Sequence, residues 1–414
     1  MKKIVDILLA LVMLSLTACA QSGAEDVVML DTSKTDEENL VYGNNVFALD
    51  LYQALKEGSG NLFSSPYSIS SALAMTYAGA RGETEQQMAD TLHFVLPQEQ
   101  LHPAFNNLSQ ELTSRKQETV AQDQKGFILK NANSLWGQSG YPILPDFLDV
   151  LADNYGAGIR TLDFIGAPED SRLTINNWVN KQTENKINNL IPVGSIKPLT
   201  RLVLTNAVYF KANWLYPFSE TGTYNGSFNL LDGSKVEVSM MINPGSFNYN
   251  NGNGYRAIEL PYQGETTSML ILLPQQERFE AFENSLKYSD IEKTINELHY
   301  EKIRLKMPKL YFESNFELGH ELAQMGMPLA FSDTADFSGI TGKSDFWIDN
   351  VFHKAFISVN EAGTEATAAT SVIMAGAAPG GPIPFVIDRP FIFLIRDMDT
   401  GTILFIGRVL NPLE

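Results

Sequence analysis

Few places in this 414-residue sequence set reactive side chains at spacings that do chemistry, and each of them lacks a required group. His320-Glu321-Leu322-Ala323-Gln324 begins like a zinc-protease helix, in which two histidines one turn apart hold the metal and the glutamate activates its water. Gln324 stands where the second imidazole must be, so only one ring could reach a metal. Gly339-Ile340-Thr341-Gly342-Lys343-Ser344 approaches a phosphate-cradling loop, but its first glycine position is Phe337. Asp397, Asp399 and Gly401 start like a calcium loop whose twelfth position, Arg408, brings a cation where a bidentate carboxylate is needed. No Gly-x-Ser-x-Gly nucleophile elbow occurs. The five histidines, His93, His102, His299, His320 and His353, leave a Ser-His-Asp triad assembled in space as the enzymatic alternative, a surface serine hydrolase. The expectation is that the chain is not an enzyme and holds no metal or cofactor.

One stretch is unusual for a different reason. His353 to Val359 alternates as a strand, and Thr364 to Thr370 then carries only Thr, Ala and one Glu, without proline, internal glycine or a bulky side chain. A permanent loop is normally punctuated by turn residues. A segment that must slide between two existing strands needs the opposite: a β-compatible backbone, a donor at every position and small side chains on the buried face. Period two puts Thr364, Ala366, Ala368, Thr370, Val372 and Met374 on one uncharged face, with Glu361, Gly363 and Glu365 on the other.

Helices and strands must position that stretch. Phe47, Leu51, Ala54 and Leu55 form an amphipathic stripe that stops at Gly58 and Gly60; a second helix is expected over Ser68 to Tyr77, and Thr84 with Gln87 reads as a capping box opening a third. Ile175 to Ile187 has helical spacing. From Leu202 onward short apolar runs dominate (Leu202–Leu204, Val208–Phe210, Ala257–Leu260, Ser268–Leu273, Ile303–Met307), and Phe391–Ile395 with Thr402–Ile406 around Asp397–Gly401 form a hairpin. No repeat and no linker divides the body, which argues for one large helix-plus-sheet domain.

The composition, 44% hydrophobic and 19% charged, is that of a folded soluble body, and 30 Lys plus Arg against 48 Asp plus Glu give a net charge of −18, unsuited to a nucleic-acid partner. A single cysteine excludes an intramolecular disulfide. It sits at position 19, after a basic start (Met1-Lys2-Lys3) and an apolar run (Ile7 to Leu14), the layout of a signal peptide over residues 1–18. Leu16-Thr17-Ala18-Cys19 resembles the bacterial lipoprotein box, which implies that Cys19 is lipidated and anchors the chain in the cell envelope, with Ala20 leaning towards the outer membrane or cell surface. Residues 19–38 then read as the lipidated N-terminus and a flexible acidic tether, and 39–414 as the folded domain.

Asn360-Glu361-Ala362-Gly363-Thr364-Glu365-Ala366-Thr367-Ala368-Ala369-Thr370 resembles the reactive-loop hinge of inhibitory serpins. Further blocks are similar in the same order: Asn61–Ile69, Ile175–Val179, Leu204–Trp214, Val238–Met241, Glu259–Tyr262, Met307–Lys309, Ala335–Gly339 and Asp388–Phe393. Asn185 departs from the family's usual glycine, a change that a left-handed backbone tolerates. The resemblance implies an α+β fold, one large domain with three β-sheets and an exposed reactive-centre loop over about 361–384. It implies a monomeric suicide-substrate inhibitor whose partner is a target serine protease, possible also for papain-like enzymes, with the loop inserting into the main sheet once cut. Glu361, Gly363, Thr364, Ala366, Ala368, Ala369 and Thr370 would form the hinge. The family register puts the cleaved bond between Ala377 and Ala378, with Val372 and Met374 as alternatives; these small residues suit elastase-like or subtilisin-like enzymes, and no Lys or Arg occurs from Glu361 to Asp388. Ser65, Ser68, Asn206 and His353 match the cluster beneath the sheet where strands part, and Trp214 the aromatic where insertion begins. The alternatives are a non-inhibitory serpin cut as a plain substrate, and a hydrolase using Ser65 with His353. Arg115-Lys116 is too small a cluster for a strong glycosaminoglycan site.

Overall fold

In the computed structural model, which describes residues 34–58, 60–114, 127–364 and 381–414, the first helix, α1, covers Asp36–Leu55. Thr35 caps it: the Thr35 hydroxyl accepts from the Glu38 N–H at 3.2 Å, and the Glu38 carboxylate accepts from the Thr35 N–H at 2.7 Å. This reciprocal box satisfies two donors that a helix start leaves orphaned. Asp36, Glu37 and Glu38, expected in the tether, are instead the first helical turn, where carboxylates face the positive end of the helix dipole. The signal peptide, Cys19 and most of the tether lie outside the described residues.

Helix α2 (Pro66–Tyr77) starts two residues before the expected Ser68, because a proline is well suited to a first helical position. Helix α3 (Gly82–Leu92) lacks the expected capping box. Its Thr84 hydroxyl accepts instead from the Asp336 N–H at 2.9 Å, and Gln87 Oε1 from the Leu329 N–H at 3.1 Å, so both side chains fasten distant chain. Helices α4 (Gln98–Ser114) and α5 (Pro145–Tyr155) follow, and α6 (Pro168–Gln182) ends before Ile187. Past that end, Asn185 has φ 63°, the left-handed conformation expected of it.

The strands are β1 (Leu62–Ser64), β2 (Phe127–Gln138), β3 (Ile159–Leu162), β4 (Leu202–Asn213), β5 (Tyr224–Asn229), β6 (Lys235–Asn250), β7 (Tyr255–Pro261), β8 (Thr267–Pro274), β9 (His299–Pro308), β10 (Leu310–Glu317), β11 (Ile348–Val359), β12 (Gly363–Thr364), β13 (Ile383–Val386), β14 (Phe391–Asp397) and β15 (Ile403–Val409). They form two ladders rather than three sheets. One runs β10-β11-β12-β4-β2-β3; in the other, β1-β15-β14-β8-β7-β6-β9-β13 with β5 on β6, the long β6 pairs with β9 and also with β7, joining what would be two sheets. The calcium-like Asp397–Gly401 run is the turn between β14 and β15: Asp397 Oδ1 accepts from the Thr400 N–H and hydroxyl, and Gly401 has φ 78°.

Period two divides β4 between two cores. Leu202, Leu204, Val208, Phe210 and Ala212 enter the main core, whereas Val203 and Ala207 pack with Trp136, Phe164, Ile175, Val179 and Phe352 beneath α6. β4 is therefore covered on both faces, which explains its nearly continuous apolar run. Elsewhere a buried ion pair ties chain ends together. Arg408 Nη1 lies 3.0 Å from Glu283 Oε1, the Tyr52 hydroxyl donates to the same carboxylate at 2.6 Å, and Arg408 also donates to the Gly58 carbonyl at 2.6 Å. Glu283→Ala would leave a buried guanidinium without its anion, so the urea midpoint should fall by the equivalent of about 3–5 kcal/mol. An unchanged midpoint would refute this role.

Candidate functional site at the parting of two strands

The strands β4 and β11 run parallel and pair directly from Leu202–Ile348 up to Tyr209–Phe356. Beyond that point they diverge, and the two residues of β12 lie between them: Thr364 pairs with Val359 on one side and Ala212 on the other, and Gly363 with Asn213. The expected hinge is therefore already seated at its first two positions. Gly363 is required there by close approach, since a Cβ would come within 2.1 Å of the Ala212 carbonyl oxygen and 2.6 Å of Asn213 Cα. Thr364 is buried, and its hydroxyl lies 2.8 Å from that of Tyr262. Burial raises the Tyr262 phenol well above its ordinary pKa, so it is a neutral hydrogen-bonding group.

Trp214 is the wall of this seat. Its ring stacks on Tyr262 with centroids 4.5 Å apart and planes 8° apart, and its indole N–H donates to the Asn360 carbonyl at 3.1 Å. The Trp214 and Phe218 N–H groups donate to the Ala362 and Glu361 carbonyls at 2.9 and 2.8 Å. Asn360 Oδ1 accepts from the Ala362 N–H at 2.9 Å and the Gly363 N–H at 3.2 Å. Glu361 is buried at the rim, accepting from the Thr223 hydroxyl at 2.6 Å and paired with Lys309 at 2.9 Å. Burial pushes its carboxyl up, but Thr223 and Lys309 outweigh it and the net shift is down. Sequence reasoning singled out Glu361, Gly363, Thr364 and Trp214; Asn360, Tyr262 and Lys309 stood in the blocks of family resemblance without a role, and Thr223 was missed, because these roles depend on long-range contact.

The four residues expected beneath the parting strands do meet, lower in the same seam. His353 on β11 and Asn206 on β4 are register partners, with His353 Nδ1 2.5 Å from Asn206 Oδ1. The Ser65 backbone N–H donates to His353 Nε2 at 3.2 Å, which leaves the Nδ1–H to donate to Asn206. Asn206 Nδ2 donates to Ser68 Oγ and to Asn133 Oδ1, each at 2.6 Å. Asn133, on β2, is the member that sequence reasoning missed; Lys130, Asn131 and Ser134 share the strand, so nothing local singled it out. The Ser65 hydroxyl turns away to the Leu404 carbonyl at 2.7 Å, so a Ser65–His353 nucleophile and base are not assembled. Ala366, Ala368, Ala369, Thr370, Val372, Met374, Ala377 and Ala378 lie outside the described residues.

A family model described as serpin, serine protease inhibitor, matches residues 42–412. The chain is a serpin. It is 41% identical over 394 residues to an uncharacterized serpin-like protein of Thermococcus kodakarensis, covering 93% of this chain and 90% of the relative. It is 39% identical over 393 residues to human leukocyte elastase inhibitor, covering 91% and 100%. The crystal structure of Serpin48, described as a highly specific serpin of the insect Tenebrio molitor, superposes with a TM-score of 0.80 at 32% identity, covering 91% of this chain and 99% of that one.

Full burial in this serpin holds the His353 imidazole down at about 3, against an ordinary value of 6.5, despite the raising effect of Asn206. The unfolded chain therefore takes up a proton below about pH 6.5 that the native seam refuses, and stability falls as pH drops from there towards 3. His102, lowered to about 4 by burial, adds to the trend. In His102→Gln, urea unfolding between pH 6 and 4 should retain a slope approaching 1.4 kcal/mol per pH unit from His353. If His102→Gln and the further variant His353→Asn in that background show the same slope, the seam histidine is not buried neutral.

Proposed function

We propose that this serpin is a suicide-substrate inhibitor of serine proteases that cut after small residues, and that it acts as a monomer held at the cell envelope. The observation that carries the reading is the seating of Gly363 and Thr364 between β4 and β11. A loop whose Thr364 already pairs on both sides, with Gly363 paired to β4, has its insertion path defined, and each further residue would gain backbone partners on two strands and bury a small side chain. The target protease attacks the loop and forms an acyl bond, the freed chain enters the seam, and the attached enzyme is carried away before hydrolysis can finish. The proposed bond is Ala377–Ala378, with Val372 or Met374 serving broader enzymes. Similarity to the leukocyte elastase inhibitors supports an elastase-like or subtilisin-like target.

Incubation with pancreatic elastase or subtilisin should give a complex that survives boiling in detergent, and the mass of the released fragment should locate the cut after Ala377. Thr364→Arg would place a charge against Tyr262 and should convert the inhibitor into a substrate, clipped at a similar rate with the covalent complex reduced at least about tenfold. Clipped wild type beside undiminished protease activity would make this a non-inhibitory serpin, and unaltered inhibition by Thr364→Arg would sink the insertion mechanism.

The envelope location rests on the Leu16-Thr17-Ala18-Cys19 pattern, with outer-membrane or cell-surface placement following from Ala20. In a bacterial host the chain should incorporate labelled palmitate and fractionate with membranes, and Cys19→Ser should lose the label and release the protein. Label retained by Cys19→Ser would overturn the anchor.

A further inference from the structure

β9 presents opposite chemistry on its two faces. Ile303, Leu305 and Met307 are fully buried, whereas Lys302 and Arg304 are exposed and Lys306 is half-buried. Period two sets these three cations in a row about 14 Å long, on a chain of net charge −18. The register shows what flanks them. Ser246, Pro244 and Ile242 of β6 lie beside Lys302, Arg304 and Lys306, and Pro384 and Val386 of β13 lie beside Arg304 and Lys306 on the other side. None of these neighbours is charged. The Lys306 ammonium sits 5.0 Å from the centroid of Tyr224, and Arg304 makes no ion pair among the described residues. Like charges on adjacent outward positions repel, and sheet stability alone would favour opposite charges here.

The position of the stripe gives it meaning. The same strand and its next residue hold both described ends of the reactive loop. Ile383–Val386, on its far side, pairs in register with Ile303–Lys306, while Lys309, just past the end of β9, pairs with Glu361 at 2.9 Å. On the proposed function, a protease bound to the loop would come up beside this strand.

We propose that Lys302, Arg304 and Lys306 form a docking surface for an acidic patch on the protease that cuts the loop. The proposal rests on the loop being protease bait. On a molecule this acidic, the stripe is where an acidic enzyme can approach without repulsion, and charges at a contact rim act chiefly on association rate and partner choice. The stripe's short length, its interleaving with Pro244 and Pro384, and its place at the loop base fit a protein patch better than a long polyanion.

The test compares the full-length wild type with K302E/R304E/K306E, using subtilisin and subtilisin whose surface lysines have been succinylated. Both enzymes share one active site and differ in surface charge. The rate read is loop cleavage, whether it ends in a complex or a clipped chain, so a missing complex would count against inhibition and not against docking. At about 20 mM salt the succinylated enzyme should cut wild type about tenfold faster than the triple variant, and the gap should close near 0.5 M, where the screening length is a few ångströms. With unmodified subtilisin the gap should shrink or reverse. K302Q/R304Q/K306Q, with an unchanged thermal midpoint, should fall between the two and so separate charge from misfolding. Equal rates for wild type and variant at low salt would overturn the proposal. So would a gap that appears only when heparin or anionic vesicles are added, which would assign the stripe to a polyanion or a lipid surface.

Discussion

The rest of the structure depends on one incomplete pairing, the parallel contact between β4 and β11. These two strands bond to each other over most of their length and separate at the top, where Gly363 and Thr364 take the place of direct contact. A sheet interior with an opening is an unstable design, because unpaired backbone groups there would be buried without partners. The wall residues remove that penalty locally. Trp214, Phe218 and Asn360 pair the carbonyls of residues 360–363 and the N–H groups of Ala362 and Gly363, and Tyr262 pairs the Thr364 hydroxyl. The opening thus persists as a satisfied structure instead of a defect.

Lower in the seam the requirement is reversed. On the proposed mechanism these strands would have to separate, so they could not be fused by interlocked large side chains across the contact, yet they must stay shut meanwhile. His353, Asn206, Ser68 and Asn133 meet this with short hydrogen bonds between small or planar groups, buried enough that each bond is costly to leave unmade. On the other face Lys354 reaches the Asn188 carbonyl at 3.2 Å and Glu313 at 2.8 Å, so the chain leaving α6 is pinned across the same strand.

Much of this was legible in the sequence, and what was not has a common cause. The hinge pattern pointed to a segment fit for a sheet interior, a position that Thr364 occupies among the described residues, and the strand pattern from Leu202 onward gave the framework. Local signals failed where a polar side chain had been drawn into tertiary service: Thr84 and Gln87 looked like a helix cap and instead hold residues 336 and 329. Asp36 to Glu38 looked like tether, because a capping box and a disordered acidic run share a composition and differ only in geometry. Neither Tyr262 nor Asn133 could be given a role from local pattern, since their partners lie 102 and 65 residues away in sequence.

The depth of seating argues for a barrier rather than a shortage of driving force. On the proposed mechanism, carrying the hinge down from Ala212 and Val359 requires the direct β4–β11 pairs, which begin at Tyr209 and Phe356, to break before incoming residues can replace them. The exchange ends with two ladders in place of one, so it is favourable when complete and unfavourable midway. Thr364 marks where that barrier would start, because it is the deepest described residue between the two strands and direct β4–β11 pairing resumes below it. An uncut loop is tied down at both ends, by Glu361 with Lys309 and by β13 on β9, and cannot supply the slack that separation needs. On the proposed mechanism, cutting the loop would free one end while leaving the seated hinge in place, which would convert a stable opening into the entrance for the strand.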